Sequence, residues 1–398
     1  MLPAYNGGSI ANIPASILTG FETPPILQQG LLPPVGESRL PIDLLRDARV
    51  VILIVIDGLG ADALDEAAGR GDVPGLMSAA HQTTLTSVFP PTTAAATTSL
   101  QYGVGLGNHG MAGYTLYLPE IDQVFNMITW GVAGNGSIDV NAPAPASFLR
   151  GPNLFNLLAR AGIDPVIVSN QAFETSPLSL AQASGVRFRG YKTLADFTYR
   201  LIRELERPGR RFVYGYWDGF DALGHVWGAD SSVARLELRL IDRALREGLF
   251  QPLESLGEDV ALIVTADHGH ADMPRDSRLD LAEIPGLLDA LAHRPTGEPR
   301  QLGLAVREGS RVDVQALYDA WGDRIAVLTS ADAIEAGLFG PPPHHPDLLA
   351  RTGDILLLAG GAGSFTYPGG STGSVGGHGS LTQREMAAPL LVWRWRRD

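Results

Sequence analysis

Carboxylates, imidazoles and one hydroxyl stand at the ends of short apolar runs, where they can bind cations or attack an electrophile. In VILIVIDGLG the apolar run stops at Asp57, which delivers a carboxylate to the edge where ligands bind in open α/β sheets. ALIVTADHGH repeats the arrangement with Asp267 and His268 side by side, an oxygen and a nitrogen donor for one ion. In YGYWDGFDALGHVWG, Asp221 and His225 are four residues apart; if Asp221 opens a helix, both lie on one face, ready to chelate. Asp218 is a competing carboxylate there, ranked as an outer partner that orients a ligand. His378 sits between glycines in GGHGS, which allow backbone to crowd a ligand. Finally, FPPTTAAATTSL places Thr93 behind a double proline. A hydroxyl in the first turn of a helix faces free N–H groups and the positive end of the dipole, a setting that welcomes an anion. Singly, each feature has a bland explanation in a capping Asp, a half-buried His or a glycine turn. His270 could extend the Asp267 and His268 cluster, but with nothing else nearby calling for a ligand it is expected to be solvated. Thr97, Thr98 and Ser99 are expected to be packing residues whose hydroxyls bond back to earlier carbonyls.

Composition narrows the chemistry. The chain has 398 residues, no cysteine and a formal net charge of −13. Thiolate metal sites, disulfides and Cys nucleophiles are therefore excluded, and a metal must be held by oxygen and imidazole. The acidic balance argues against a nucleic-acid polymer as partner, because phosphate backbones are bound through clustered basic groups; only Arg394 to Arg397 look basic. The N-terminal stretch lacks the basic and continuous apolar parts of a signal peptide, and no apolar run approaches a membrane span. The expectation is a cytoplasmic protein without a membrane partner, its oligomeric state open.

The elements that must position these groups alternate in type. Apolar runs (RVVILIVIDG, TTLTSVF, DPVIVSN, RFVYGYWD, DVALIVTADHG, DILLLAGG) are separated by helical stretches at 153–161, 194–206 and 231–256. This order predicts a three-layer α/β/α sandwich with a mostly parallel central sheet, its strands buried on both faces. Residues 1–398 read as one such domain. Within it, 272–351 are less regular, with strand, helix, strand, helix signals at 302–306, 312–321, 325–329 and 331–336, and read as an inserted lid or subdomain.

Taken in order, VIDG, FPPTT, D-x-x-G-H, ADHG and GGHGS resemble the type I phosphodiesterase and nucleotide pyrophosphatase branch of the alkaline phosphatase superfamily, over Val51 to Val392. The resemblance implies two divalent ions, zinc by first choice, at the carboxyl edge of the sheet. Carried over by position, Asp57, Thr93, Asp267 and His268 would hold one ion, and Asp221, His225 and His378 the other. It further implies a hydrolase that cleaves phosphodiester or pyrophosphate bonds of a small phosphoester through a phosphothreonine on Thr93. Ala96 stands where the family pattern would put a donor to a phosphate oxygen, which leaves Asn108 and His109 in GNHGMAGY as candidate substrate-binding groups. Tyr114, Tyr117, Tyr216 and Trp217 are candidates for stacking on a flat leaving group, and Arg150 or Arg187 for folding in as a phosphate clamp. A phosphomonoesterase or phosphonoacetate hydrolase would share the same two-metal site. Outside the enzymes stands a catalytically inert metal-binding scaffold, for which Ala96 is the only hint.

Overall fold

Val50–Ile56 and Val260–Thr265 are buried at every position, which is only possible for strands covered on both faces. In the computed structural model, which describes residues 1–370 and 373–396, they form the middle of a seven-stranded sheet. Arg397, in the short basic stretch, lies outside the described residues. The strands are β1 (Val50–Ile56), β2 (His81–Thr86), β3 (Asp164–Asn170), β4 (Arg187–Tyr191), β5 (Arg211–Trp217), β6 (Val260–Thr265) and β7 (Ala387–Trp395), in the spatial order β2, β7, β6, β1, β5, β3, β4. β1 is parallel to β5 and β6, and β3 to β4 and β5, whereas β7 runs antiparallel to both of its neighbours. The sheet is thus mostly parallel, as the alternating pattern predicts.

Helices cover it. Helix α1 (Thr93–Tyr102) packs with Ile13–Gly20 and Leu154–Arg160, while α2 (Leu194–Leu205) packs with α4 (Ser232–Leu245), which in turn packs on α3 (Gly219–Trp227). The apolar side chains of these elements and of the sheet make one main core. After α4 the helical path continues through a π-helical turn, Arg246–Phe250, into Gln251–Leu256. Among the described residues no helix is long and apolar enough to cross a membrane.

The run DILLLAGG is placed differently from the sequence reading. Its strand, Ile355–Ala359, belongs to a second, antiparallel sheet, between Gln301–Leu304 and Ile325–Thr329, with Thr296–Glu298 at the far edge. This sheet has its own core, including Leu302, Leu317, Trp321, Leu357 and Phe365. Helices Val314–Trp321 and Ser330–Glu335 alternate with its strands, near the positions read from the sequence. Two short pairings flank this part: Arg278–Asp280 with Ser364–Thr366, whose Leu279 and Phe365 add to the same core, and Ala271–Asp272 with Gly376–Gly377.

Candidate metal centre around Thr93

Strand register assembles the first carboxylates. Ile56 of β1 pairs with Trp217 of β5, and Val55 with Thr265 of β6, so the residues that follow, Asp57, Asp218 and Asp267, stand level at one edge. Gly58 then turns the chain with φ +73°, and a Cβ built there would lie 3.0 Å from the Cβ of Asp221. Only glycine fits a left-handed position that close to a neighbouring side chain. Helix α3 carries Asp221 in its first turn and His225 in its last, with Nε2 of His225 3.3 Å from Oδ2 of Asp221.

Oxygens converge on one imidazole nitrogen. Nε2 of the fully buried His268 lies 3.2 Å from Thr93 Oγ1, 3.4 Å from Asp267 Oδ2 and 3.5 Å from Asp57 Oδ1. Its Nδ1 sits 3.0 Å from the carbonyl of Gly269, so the proton belongs there and Nε2 is left with a lone pair for a cation. Beside this group, His225 Nδ1 faces the Gly376 carbonyl at 2.9 Å and His378 Nδ1 faces the Pro91 carbonyl at 2.9 Å. Their Nε2 atoms face Asp221, with His378 3.8 Å from Oδ1. Two sets of donors lie within 4.8 Å of one another: Asp221, His225 and His378, and Asp57, Asp221 and His268.

The donor set fits divalent cations. Asp57 Oδ1, Asp221 Oδ1 and Asp267 Oδ2 are buried without a hydrogen-bond partner, and an uncompensated buried carboxylate costs several kcal/mol. Burial, followed by the charges of Asp267 and Asp221, raises the Asp57 carboxyl well above its usual range. Ionisation of Asp57 beside these two carboxylates is favoured only when positive charge stands next to it. Burial also opposes ionisation of Asp221, but His225 and His270 outweigh it and hold that carboxyl well below its usual range. For His225 the balance is reversed: burial works against the imidazolium, Asp221 overcomes it, and the pKa rises to about 9. Oxygen and imidazole donors without thiolate suit zinc and similar ions.

Some residues sit differently from the sequence reading, and one escaped it. His270 is buried rather than solvated, its Nε2 3.3 Å from Asp221 Oδ1, because the pairing of Ala271 with Gly377 folds this stretch back under the His378 loop. Asn108 donates to the Pro343 carbonyl at 3.0 Å, and the buried His109 meets Ser99 Oγ at 2.9 Å; neither is brought to the cluster. Ser99 therefore differs from Thr97 and Thr98, which do bond back to Thr93 and Ala94 carbonyls. Ala96 is fully buried in the main core, so its place on α1 serves packing. Asp218 accepts from Tyr191 and Asn170. Tyr216, named for stacking, instead donates its hydroxyl to Asp57 Oδ2. Glu298 was missed outright: it places Oε2 3.1 Å from His378 Nδ1.

A cavity of about 460 Å³ is lined by Thr93, Asp57 and Asp221 and by the apolar side chains of Ile167, Phe173, Leu178 and Phe188, with Ser169, Ser176 and Gln182 among its polar lining. Of the aromatic candidates only Tyr216 lines it; Trp217 stacks on Tyr191, Tyr117 on His293, and Tyr114 lines a separate cavity. No lysine or arginine is among its described lining residues. Arg187 is engaged with Glu204 and Asp164 instead.

Comparison with known proteins adds an independent line. The family model described as type I phosphodiesterase / nucleotide pyrophosphatase matches residues 51–381. A curated relative, alkaline phosphatase PhoK of a Sphingomonas species, is 26% identical over 209 residues, covering 44% of this chain and 37% of that protein. The matched stretch thus spans little more than a third of that relative. Among solved structures, human ectonucleotide pyrophosphatase / phosphodiesterase 5 superposes with a TM-score of 0.64 at 19% identity, over 86% of this chain and 87% of the other. Phosphonoacetate hydrolase from Sinorhizobium meliloti 1021 does so with a TM-score of 0.61 at 18% identity, over 87% and 90%. These likenesses establish the alkaline-phosphatase-like α/β fold.

Proposed function

We propose, from the premise that this chain belongs to the type I phosphodiesterase / nucleotide pyrophosphatase family, that it is a two-metal phosphoryl-transfer hydrolase which cleaves diester or pyrophosphate bonds of a small phosphoester through Thr93. The observation that carries the reading is the convergence of Thr93 Oγ1, Asp57 Oδ1 and Asp267 Oδ2 on His268 Nε2, next to the Asp221, His225 and His378 set. Asp57, Thr93, Asp267 and His268 would hold one ion, and Asp221, His225 and His378 the other, zinc being the natural choice for these donors. A divalent ion bound there supplies charge to the reacting phosphoryl group and lowers the pKa of a coordinated hydroxyl.

The chain's own groups do the rest. Thr92, the residue before α1, makes no side-chain cap, which leaves first-turn N–H groups free for the non-bridging phosphate oxygens. Thr93 Oγ1 forms a bond to phosphorus as the bond to the leaving oxygen breaks in line, and its proton ends on the departing alcohol. Water then attacks the phosphothreonine from the vacated side and releases a phosphomonoester, restoring the hydroxyl. Tyr216 holds Asp57 by donating to Oδ2, leaving Oδ1 turned toward His268.

The cavity supports a diester over the alternatives. A dianionic monoester or a phosphonoacetate carboxylate brings extra negative charge, and no lining lysine or arginine meets it; the apolar lining side chains suit an uncharged, flat or aliphatic ester group. A bis-aryl phosphate is expected to turn over faster than the mono-aryl ester, and both faster than phosphonoacetate. The test of the mechanism is acid-quenched turnover followed by peptide mass spectrometry. A phosphoryl adduct on Thr93, absent from Thr93→Ala together with a loss of turnover on the order of 10⁴-fold or more, is the expected result. Full turnover by Thr93→Ala would overturn it.

A further inference from the structure

Glu298 belongs to the second sheet, remote in sequence from every motif that marks the centre, yet its carboxylate reaches the back of a candidate ligand. His378 presents Nε2 to Asp221, so Nδ1 is the ring atom that must carry a proton if Nε2 is to bind a cation. That nitrogen faces the Pro91 carbonyl at 2.9 Å, from the loop that leads into Thr93, and Glu298 Oε2 stands 3.1 Å from it on the same side of the ring. Glu298 is only 8% exposed and its Oε1 has no hydrogen-bond partner. Such burial of a carboxylate is costly and calls for a compensating positive charge nearby.

The surroundings are shaped to keep it there. Gly379, next to His378, has φ +122°, and a Cβ at that position would sit 2.9 Å from Glu298 Cγ. The glycine after the histidine is therefore needed for the carboxylate to approach. Two residues beyond Glu298, Arg300 makes a fully buried pair with Glu385, at 3.0 and 2.7 Å, and Glu385 also accepts from the backbone N–H of Ser380 at 2.9 Å. The turn carrying Glu298 and Arg300 thus grips the His378 loop at two points.

We infer that Glu298 is a positioning residue, the outer carboxylate of a carboxylate–histidine–metal arrangement that orients His378 and strengthens binding of the ion held by Asp221, His225 and His378. The inference rests on the two-metal reading above and adds to it a role for the second sheet as an anchor of the centre. Outer carboxylates of this kind typically change metal affinity by roughly 10–100-fold.

The test is zinc binding by chelator-stripped protein, followed by competition with a chromophoric chelator. Parent, Glu298→Gln and Glu298→Asp are compared, with thermal unfolding of each metal-free form as the control for folding. The parent is expected to take up two ions. Glu298→Gln is expected to bind one of them with parental affinity and the other about 10–100-fold more weakly, and Glu298→Asp, which keeps a carboxylate, to fall between. Two ions bound with parental affinity by Glu298→Gln would overturn the inference and leave the two-metal reading intact. Loss of the metal-free fold in both variants would make Glu298 a structural residue and also overturn it. A parent that takes up no zinc would sink both readings together.

Discussion

His109 illustrates how an imidazole can be fixed by its surroundings without serving the reaction. Its Nε2 meets Ser99 Oγ, and its Nδ1 accepts from the N–H of Met111, so the neutral ring uses both nitrogens and a second ring proton would displace Met111. Burial, aided by the positive charge of Arg351 and of His345, pushes its pKa down to about 3. The unfolded chain binds this proton near pH 6.5. Between those values it holds a proton that the folded chain lacks, and folding stability falls as pH drops, by about 1.4 kcal/mol per unit. Urea unfolding of metal-free protein at pH 6 and pH 5 should therefore give a loss about 1 kcal/mol larger for the parent than for His109→Gln; equal losses would contradict the assignment. The same residue marks the limit of local reading. Asp57, Asp267, His268 and the Asp221 and His225 pair were legible because a strand end or a helical spacing announces where such side chains point. Asn108 and His109 sit in an equally suggestive glycine-flanked turn, but nothing local tells that they face Pro343 and Ser99. Glu298 gave no signal, and His270, which stands in the ADHGH run, was set aside as solvated, since their places are set by pairings with residues more than seventy positions away.

At the scale of elements, positions at the edge depend on a few exacting contacts. Level strand ends make the carboxylate row, and the turn after β1 works only because residue 58 has no side chain. Gly58→Ala is expected to push Asp221 aside, weakening the binding of the zinc ion that Asp221, His225 and His378 would hold; unchanged binding of both ions would argue against that role for Asp221. Arg300 offers a separate test of packing. It is 0% exposed and also donates to the carbonyls of Gly361 and Gly363. Arg300→Met leaves Glu385 buried and unpaired, with an expected cost of about 3–5 kcal/mol in chemical unfolding. The central strands were legible as non-alternating apolar runs. Strand β4 was not, because Arg187, Arg189 and Gly190 dilute its apolar signal at the sheet's edge. Ile355–Ala359 shows the opposite failure: an apolar run declares a strand but not which of two sheets receives it.

For the whole molecule, ions held as proposed in the buried cluster would make stability and function depend on the same metal. Burial and the charges of Asp267 and Asp221 disfavour ionisation of Asp57 in the metal-free protein, so a cation placed beside it is expected to stabilise the fold. Each ion present at 100 times its Kd is expected to add about 2.7 kcal/mol to the folded state, and chelation should lower the unfolding temperature without changing the secondary structure seen by circular dichroism. The most direct measurement is metal content determined in parallel with diester hydrolysis, while exhaustively stripped protein is titrated with zinc. Activity should be absent from the stripped protein and return as the content rises to two ions per chain. Undiminished hydrolysis by protein that holds no metal would contradict the two-ion centre around Thr93.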